Sequence, residues 1–113
     1  MKGGPANVRV LAGVKKDFFH RYRKDRPRAE AAWKALVAQG ARLAKDCAIG
    51  DAIQRDRWPR RFRTLPTLWR LELPNGFRAL YTVFHVPSEG RVARIDWVGD
   101  HRDYDDLFGY ATS

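Results

Sequence analysis

A chain of 113 residues that is 44% hydrophobic is read as one folded domain, residues 1–113, with a modest core and no room for a second. No apolar run approaches the eighteen or so residues of a membrane span, and no basic segment followed by an apolar one opens the chain, so a soluble, cytoplasmic protein without a signal peptide is expected. Net charge of +9 and a pI near 10.3 point to polyanionic partners, and one cysteine, Cys47, excludes an intrachain disulfide.

The charge is carried mainly by arginine, whose planar fork suits phosphate oxygens and base edges. A GC-rich genome produces the same excess of Arg and Ala, so the net charge is the sounder indicator. An acidic protein segment is the other class of partner that such a field attracts.

Met1 to Ala6, with Gly3-Gly4-Pro5, has no period and is expected to fray. Asn7 to Ala12 reads as a strand with Val8 and Val10 on one face, ended by Gly13. Val14, Phe18, Phe19 and Tyr22 then recur at helical spacing, with Lys15, Lys16, Arg21, Arg23 and Lys24 outside, predicting a short basic helix to about Lys24. Asp25-Arg26-Pro27 punctuates the chain, because Pro is accepted in a first helical turn and not inside one. The stripe Ala29, Ala32, Trp33, Leu36, Val37, Gly40, Leu43, Ala44 and Cys47 predicts a long second helix, closing a hairpin. Trp33 is assigned to the core, and the small Gly40 and Ala44 to a close approach between helix and sheet.

Ile49 to Thr64 has no clean period. It carries Arg55, Arg57, Arg60, Arg61 and Arg63 interleaved with Trp58 and Phe62. Arginines that follow a phosphate backbone beside an aromatic on which bases stack would make a nucleic-acid surface. Aromatics that pin an irregular connector onto the core are the favoured reading, and Arg55, Arg57, Arg61 and Arg63 remain candidate RNA-binding residues either way.

Strand character is clearest in the closing third. Trp69, Leu71 and Leu73 alternate with Arg70 and Glu72, Pro74-Asn75-Gly76 supplies a hairpin turn, and Phe77 to Val86 is apolar on both faces, as a central strand is. A second turn at Pro87-Ser88-Glu89-Gly90 leads to Arg91 to Val98. The expected fold is α+β: an N-terminal strand, a two-helix hairpin, then a three-stranded antiparallel meander completing a small twisted sheet, with the first strand joining its edge.

This order, together with Trp69-Arg70-Leu71 running into Gly76-Phe77-Arg78-Ala79-Leu80-Tyr81, resembles the RelE/ParE superfamily of toxins from toxin–antitoxin systems. A closing cluster, Asp100-His101-Arg102-Asp103-Tyr104 through Leu107-Phe108-Gly109-Tyr110, is similar to the ending of a RelE-like subgroup. The resemblance implies a metal-independent endoribonuclease without a cofactor that cleaves messenger RNA, commonly in the ribosome, inhibits translation and is neutralised by a cognate antitoxin. It implies that Arg78 holds the scissile phosphate, that Arg70 is a second cation with Arg102 behind it, and that His101 and Tyr104 serve proton transfer or base stacking. Glu72 stands where some active members carry a basic residue; it is either a general base or a sign of weakened nuclease activity. A ParE-like gyrase inhibitor and a non-toxic RNA- or partner-binding relative are the alternatives.

Each assignment has a plainer reading. Arg78 and Glu72 suit a cross-strand ion pair, His101 a surface histidine beside Asp100 and Asp103, and Tyr104 a packing residue with Leu107 and Phe108. His20 and His85 are assigned structural places. Asp100, His101, Asp103, Asp105 and Asp106 are of metal-binding type, but neighbours in sequence do not converge easily on one ion, and no metal is expected.

Overall fold

The computed structural model describes residues 3–109; Met1, Lys2 and the end of the closing motif, Tyr110, lie outside the described residues. The fold is α+β, with five strands and three α-helices among the described residues. Strand β1 (Asn7–Val10) is followed by helix α1 (Val14–Arg21), a single 3-10 turn, and helix α2 (Arg26–Lys45). A two-residue strand β2 (Asp51–Ala52) and two 3-10 turns precede β3 (Trp69–Glu72), β4 (Phe77–Val86) and β5 (Gly90–Asp100), and α3 (His101–Phe108) closes the chain.

The sheet order is β1-β5-β4-β3-β2. The β3, β4 and β5 strands pair antiparallel, while β1 lies parallel to β5, with Asn7 opposite Val92 and Val10 opposite Ile95. The expected order of strand, hairpin and meander is therefore incomplete. The sheet is mixed, the connector contributes an edge strand that its aperiodic sequence concealed, and a third helix follows the last strand.

Several boundaries follow from local chemistry. Asn75 (φ 62°) and Gly76 (φ 76°) both take the left-handed backbone that the tight β3–β4 connection requires. Helix α1 stops at Arg21, three residues short of the expected end, because Tyr22 leaves the helix to point its hydroxyl at the start of α3. Pro27 sits in the first turn of α2, as expected. Cys47 lies beyond the end of α2 and not on it; it is buried, and its carbonyl accepts from the Tyr81 hydroxyl at 2.8 Å. Residues 4–6 are not frayed, since Ala6 N–H donates to the Ala44 carbonyl and Cys47 N–H to the Gly4 carbonyl.

Helices α1 and α2 cover one face of the sheet. Phe18 is fully buried there between Phe19, Tyr22, Trp33 and Phe77, with ring centroids 5.1–5.8 Å apart. Burying such a side chain contributes about 1.5–3 kcal/mol. Leu36, Leu43, Leu71, Ala79 and Ile95 extend this core. Trp33 is partly buried against it, but Val37 is 63% exposed, and a Cβ placed on Gly40 would meet nothing within 4 Å, so the close approach expected at Gly40 is absent.

The opposite face has a second, smaller core of Trp58, Phe62, Leu68, Leu80, Trp97 and Tyr104. The connector thus folds back over the sheet, pinned by Trp58 and Phe62, and α3 closes the layer through Tyr104. The indole N–H of Trp58 donates to the Ile53 carbonyl at 2.8 Å, which satisfies its polar edge.

Candidate nucleic-acid site

Side-chain alternation puts Arg70 and Glu72 of β3 and Arg78 of β4 on the connector side of the sheet. Leu71 and Ala79, between them in sequence and paired with each other, point into the helical core. Glu72 pairs with Arg78 and Arg70 with Leu80 across the strands, so the two arginines lie diagonally about one carboxylate. Arg78 Nε is 3.4 Å from Glu72 Oε2, and Arg70 Nε is 3.1 Å from Glu72 Oε1. The second contact is close without being aligned, and among the described residues Arg70 Nε has no hydrogen-bond partner although it is shielded from solvent. Asp51 of β2 approaches the far side of Arg70 at 3.5 Å.

Tyr104 forms the floor. The guanidinium of Arg78 lies 4.7 Å from its ring centroid and that of Arg70 lies 5.8 Å away. The ring itself is 2% exposed and stacks on Phe108 at 4.3 Å. It carries the cations and offers no open face to a nucleobase. Burial alone would lower the pKa of Arg70; the Tyr104 hydroxyl, Glu72 and Asp51 outweigh it and raise the pKa, keeping the guanidinium charged.

His101 opens α3 immediately after Asp100, which pairs with Phe77 across the sheet. A Cβ on Gly76 would meet His101 Nδ1 at 3.3 Å, so the imidazole rests against the β3–β4 turn, at the same end of the sheet as Glu72 and Arg78. Arg102, one position further on α3, is exposed.

The start of α3 is held from a distance. Asp100 Oδ1 caps it by accepting from Asp103 N–H at 2.9 Å. The Tyr22 hydroxyl donates to Asp103 Oδ2 and accepts from Asp100 N–H, and Arg21 reaches Asp103 at 3.0 Å and also donates to the Val98 carbonyl. Burial, followed by the bond to Asp103, raises the Tyr22 pKa well above that of an ordinary phenol. Arg21, Tyr22 and Asp103 were not singled out for this task in the sequence. Nothing local signals it, because the partners stand about eighty positions apart.

The connector arginines part company. Arg55 lies over the Trp58 ring at 4.3 Å and donates to the Pro66 carbonyl, so it braces the loop. Arg61 stacks on Phe62 at 5.0 Å and lines a groove of about 440 Å³ with Arg21, Trp97, Asp103 and Asp106. Its carboxylates oppose phosphate there. Arg63 is exposed. Arg57 alone of the four joins the Arg70 side, lining a cleft of about 270 Å³ with Asp51, Ile53, Gln54, Arg70 and Tyr104. Asp51 and Gln54 also line it, and no motif or period marks either of them.

Among the described residues, no three His, Cys, Asp or Glu side chains are grouped so as to hold a metal ion. Asp100 and Asp103 of the closing motif are engaged with the α3 N-terminus, Tyr22 and Arg21. Also among the described residues, no helix is long and apolar enough to cross a membrane.

In comparison with known proteins, no family model, no curated protein and no solved structure matches this chain.

Proposed function

We propose that the protein is a RelE-like toxin of the RelE/ParE type: a metal-independent endoribonuclease of the cytoplasm that cleaves messenger RNA, in association with the ribosome, and so inhibits translation. The observation that carries this reading is the pairing of Arg70 and Arg78, 30% and 25% exposed, above the Tyr104 ring with one carboxylate between them. Two half-desolvated guanidiniums on adjacent strands form a rigid seat for a phosphodiester, and the net charge of +9 draws RNA toward it.

The chemistry assigned to the seat is transesterification by the adjacent ribose. Glu72 accepts the 2′-hydroxyl proton, the 2′ oxygen bonds to phosphorus, and Arg70 and Arg78 stabilise the charge gathering on the non-bridging oxygens. The bond from phosphorus to the 5′ oxygen breaks, and protonated His101 returns a proton to that oxygen. A 2′,3′-cyclic phosphate and a 5′-hydroxyl remain. Tyr104 positions both cations from beneath, and Arg57 extends the positive track along the cleft.

A cognate antitoxin is the partner that goes with this reading. Its match is an acidic amphipathic segment, since the free edge of β1 adjoins an apolar groove of about 210 Å³ with Val10, Trp33 and Val37 on a strongly cationic molecule. A ParE-like gyrase inhibitor is the second reading, favoured by the engagement of both arginines with Glu72. Purified protein is incubated with free messenger RNA in EDTA and, separately, with messenger RNA on ribosomes in magnesium buffer, beside a gyrase supercoiling assay. Cyclic-phosphate ends support the nuclease; intact RNA with blocked supercoiling selects the gyrase reading.

A further inference from the structure

We propose that Glu72 is a built-in phosphate surrogate: its carboxylate occupies the seat between Arg70 and Arg78 that a ligand phosphate takes, and the ligand binds by displacing it. The proposal deepens the ribonuclease reading by naming how the same site is held closed, and rests on it only for the identity of the natural ligand.

The geometry is that of a bound oxyanion. One oxygen of Glu72 faces each arginine, at 3.1 and 3.4 Å, from the solvent side, while Tyr104 supports both guanidiniums from the core side. The fit is imperfect in a telling way. Arg70 Nε has an oxygen 3.1 Å away but no aligned acceptor, so a shielded donor remains unsatisfied. Held by its tether to β3, the carboxylate accepts from Arg78 Nε and leaves Arg70 Nε without an aligned lone pair. A tetrahedral phosphate, free to turn and carrying more oxygens, can accept from both.

Displacement is inexpensive. The Glu72 side chain is 54% exposed, and ion pairs of that exposure are weak because water and salt compete for both partners. The arginines are less free to leave, being 30% and 25% exposed and packed on the Tyr104 ring. The mobile member of the triad is thus the anion. Once displaced it remains tethered beside the phosphate it admitted, which is where a base for the 2′-hydroxyl is required.

The test uses the full chain. Inorganic phosphate and, separately, a 2′-O-methyl RNA oligonucleotide that cannot be cleaved are titrated into wild type, Glu72→Gln, Asp51→Asn, Arg78→Gln and Glu72→Gln/Arg78→Gln by calorimetry, the double variant being compared with Arg78→Gln. Breaking two exposed ion pairs predicts that Glu72→Gln binds phosphate about tenfold more tightly. Asp51→Asn removes the same charge from the same neighbourhood but touches Arg70 alone, from the far side, so it gains less than about twofold. The gain disappears in the double variant. Equal gains for Glu72→Gln and Asp51→Asn, or a gain that survives Arg78→Gln, overturn the proposal, since either means a general charge effect. No gain for Glu72→Gln with its melting temperature retained overturns it as well. A phosphate gain without one for the oligonucleotide places free phosphate in the seat and removes RNA, leaving the surrogate role intact. The ribonuclease reading fails separately, if the wild type leaves RNA uncut while the phosphate gain is seen.

Discussion

The two faces of the sheet are built on opposite principles. The helical face is closed with apolar matter: Phe18, Phe77, Ala79 and Leu43 are fully buried, and five aromatic rings interlock across α1, Tyr22 just beyond it, α2 and β4. The connector face begins the same way, with Trp58, Leu80, Trp97 and Tyr104, and then stops at the β3–β4 end, where Arg70, Glu72 and Arg78 replace apolar side chains. A core that ends in charge leaves two guanidiniums resting on the Tyr104 ring, with the Glu72 carboxylate between them on the outer side. Apolar packing and exposed charge are segregated by face, so substitutions on the two faces should damage different observables.

The largest expected effect breaks the helical face. Phe77→Ala, at a residue fully buried against Phe18 and Tyr22, should cost about 3–5 kcal/mol in chemical denaturation. A loss below 1 kcal/mol would mean that this face is not the stabilising one. Next comes the hinge between the faces. A Cβ at Gly50 would sit 2.6 Å from the Arg70 carbonyl and 2.8 Å from the Tyr81 hydroxyl, so Gly50→Ala should cost about 1–3 kcal/mol and weaken phosphate binding by displacing β2 and Arg70. A more conservative probe follows from Tyr81 itself. Burial, partly offset by the Gly50 N–H, pushes its pKa up to about 12, against about 10 in an unfolded chain. The fold then binds a proton that the unfolded chain has lost. Stability contributed by the neutral phenol is complete below about pH 10 and lost as pH rises from there through about 12, and Tyr81→Phe should flatten that alkaline decline in thermal melts.

Much of the frame was legible because it is periodic. The stripe from Ala29 to Leu43 specified α2, Asn75-Gly76 specified the hairpin, and apolar residues on both faces of Phe77 to Val86 specified a central strand. Strand β2 escaped because it is only two residues long, Asp51 and Ala52, too short for any alternation to show. The meeting of Arg70, Glu72 and Arg78 could be anticipated from alternation across one hairpin. Their common floor could not, since Tyr104 arrives from a helix positioned by Tyr22 and Arg21, and no spacing rule links those residues. The arginine run was the least legible element. Identical side chains at Arg55, Arg57 and Arg61 end as a brace, a cleft wall and a groove wall.

The most direct test of the central claim is paired measurement of cleavage and stability on Arg78→Gln. Wild type is expected to cut a defined messenger RNA to 2′,3′-cyclic phosphate ends, in EDTA where the RNA is free and in magnesium buffer where ribosomes are present, and Arg78→Gln to lose this cutting by at least about a hundredfold. Its unfolding free energy should meanwhile fall by no more than about 1 kcal/mol, as expected for a half-exposed ion pair. Cleavage undiminished in Arg78→Gln, or RNA left whole by the wild type with and without ribosomes, would contradict the central claim.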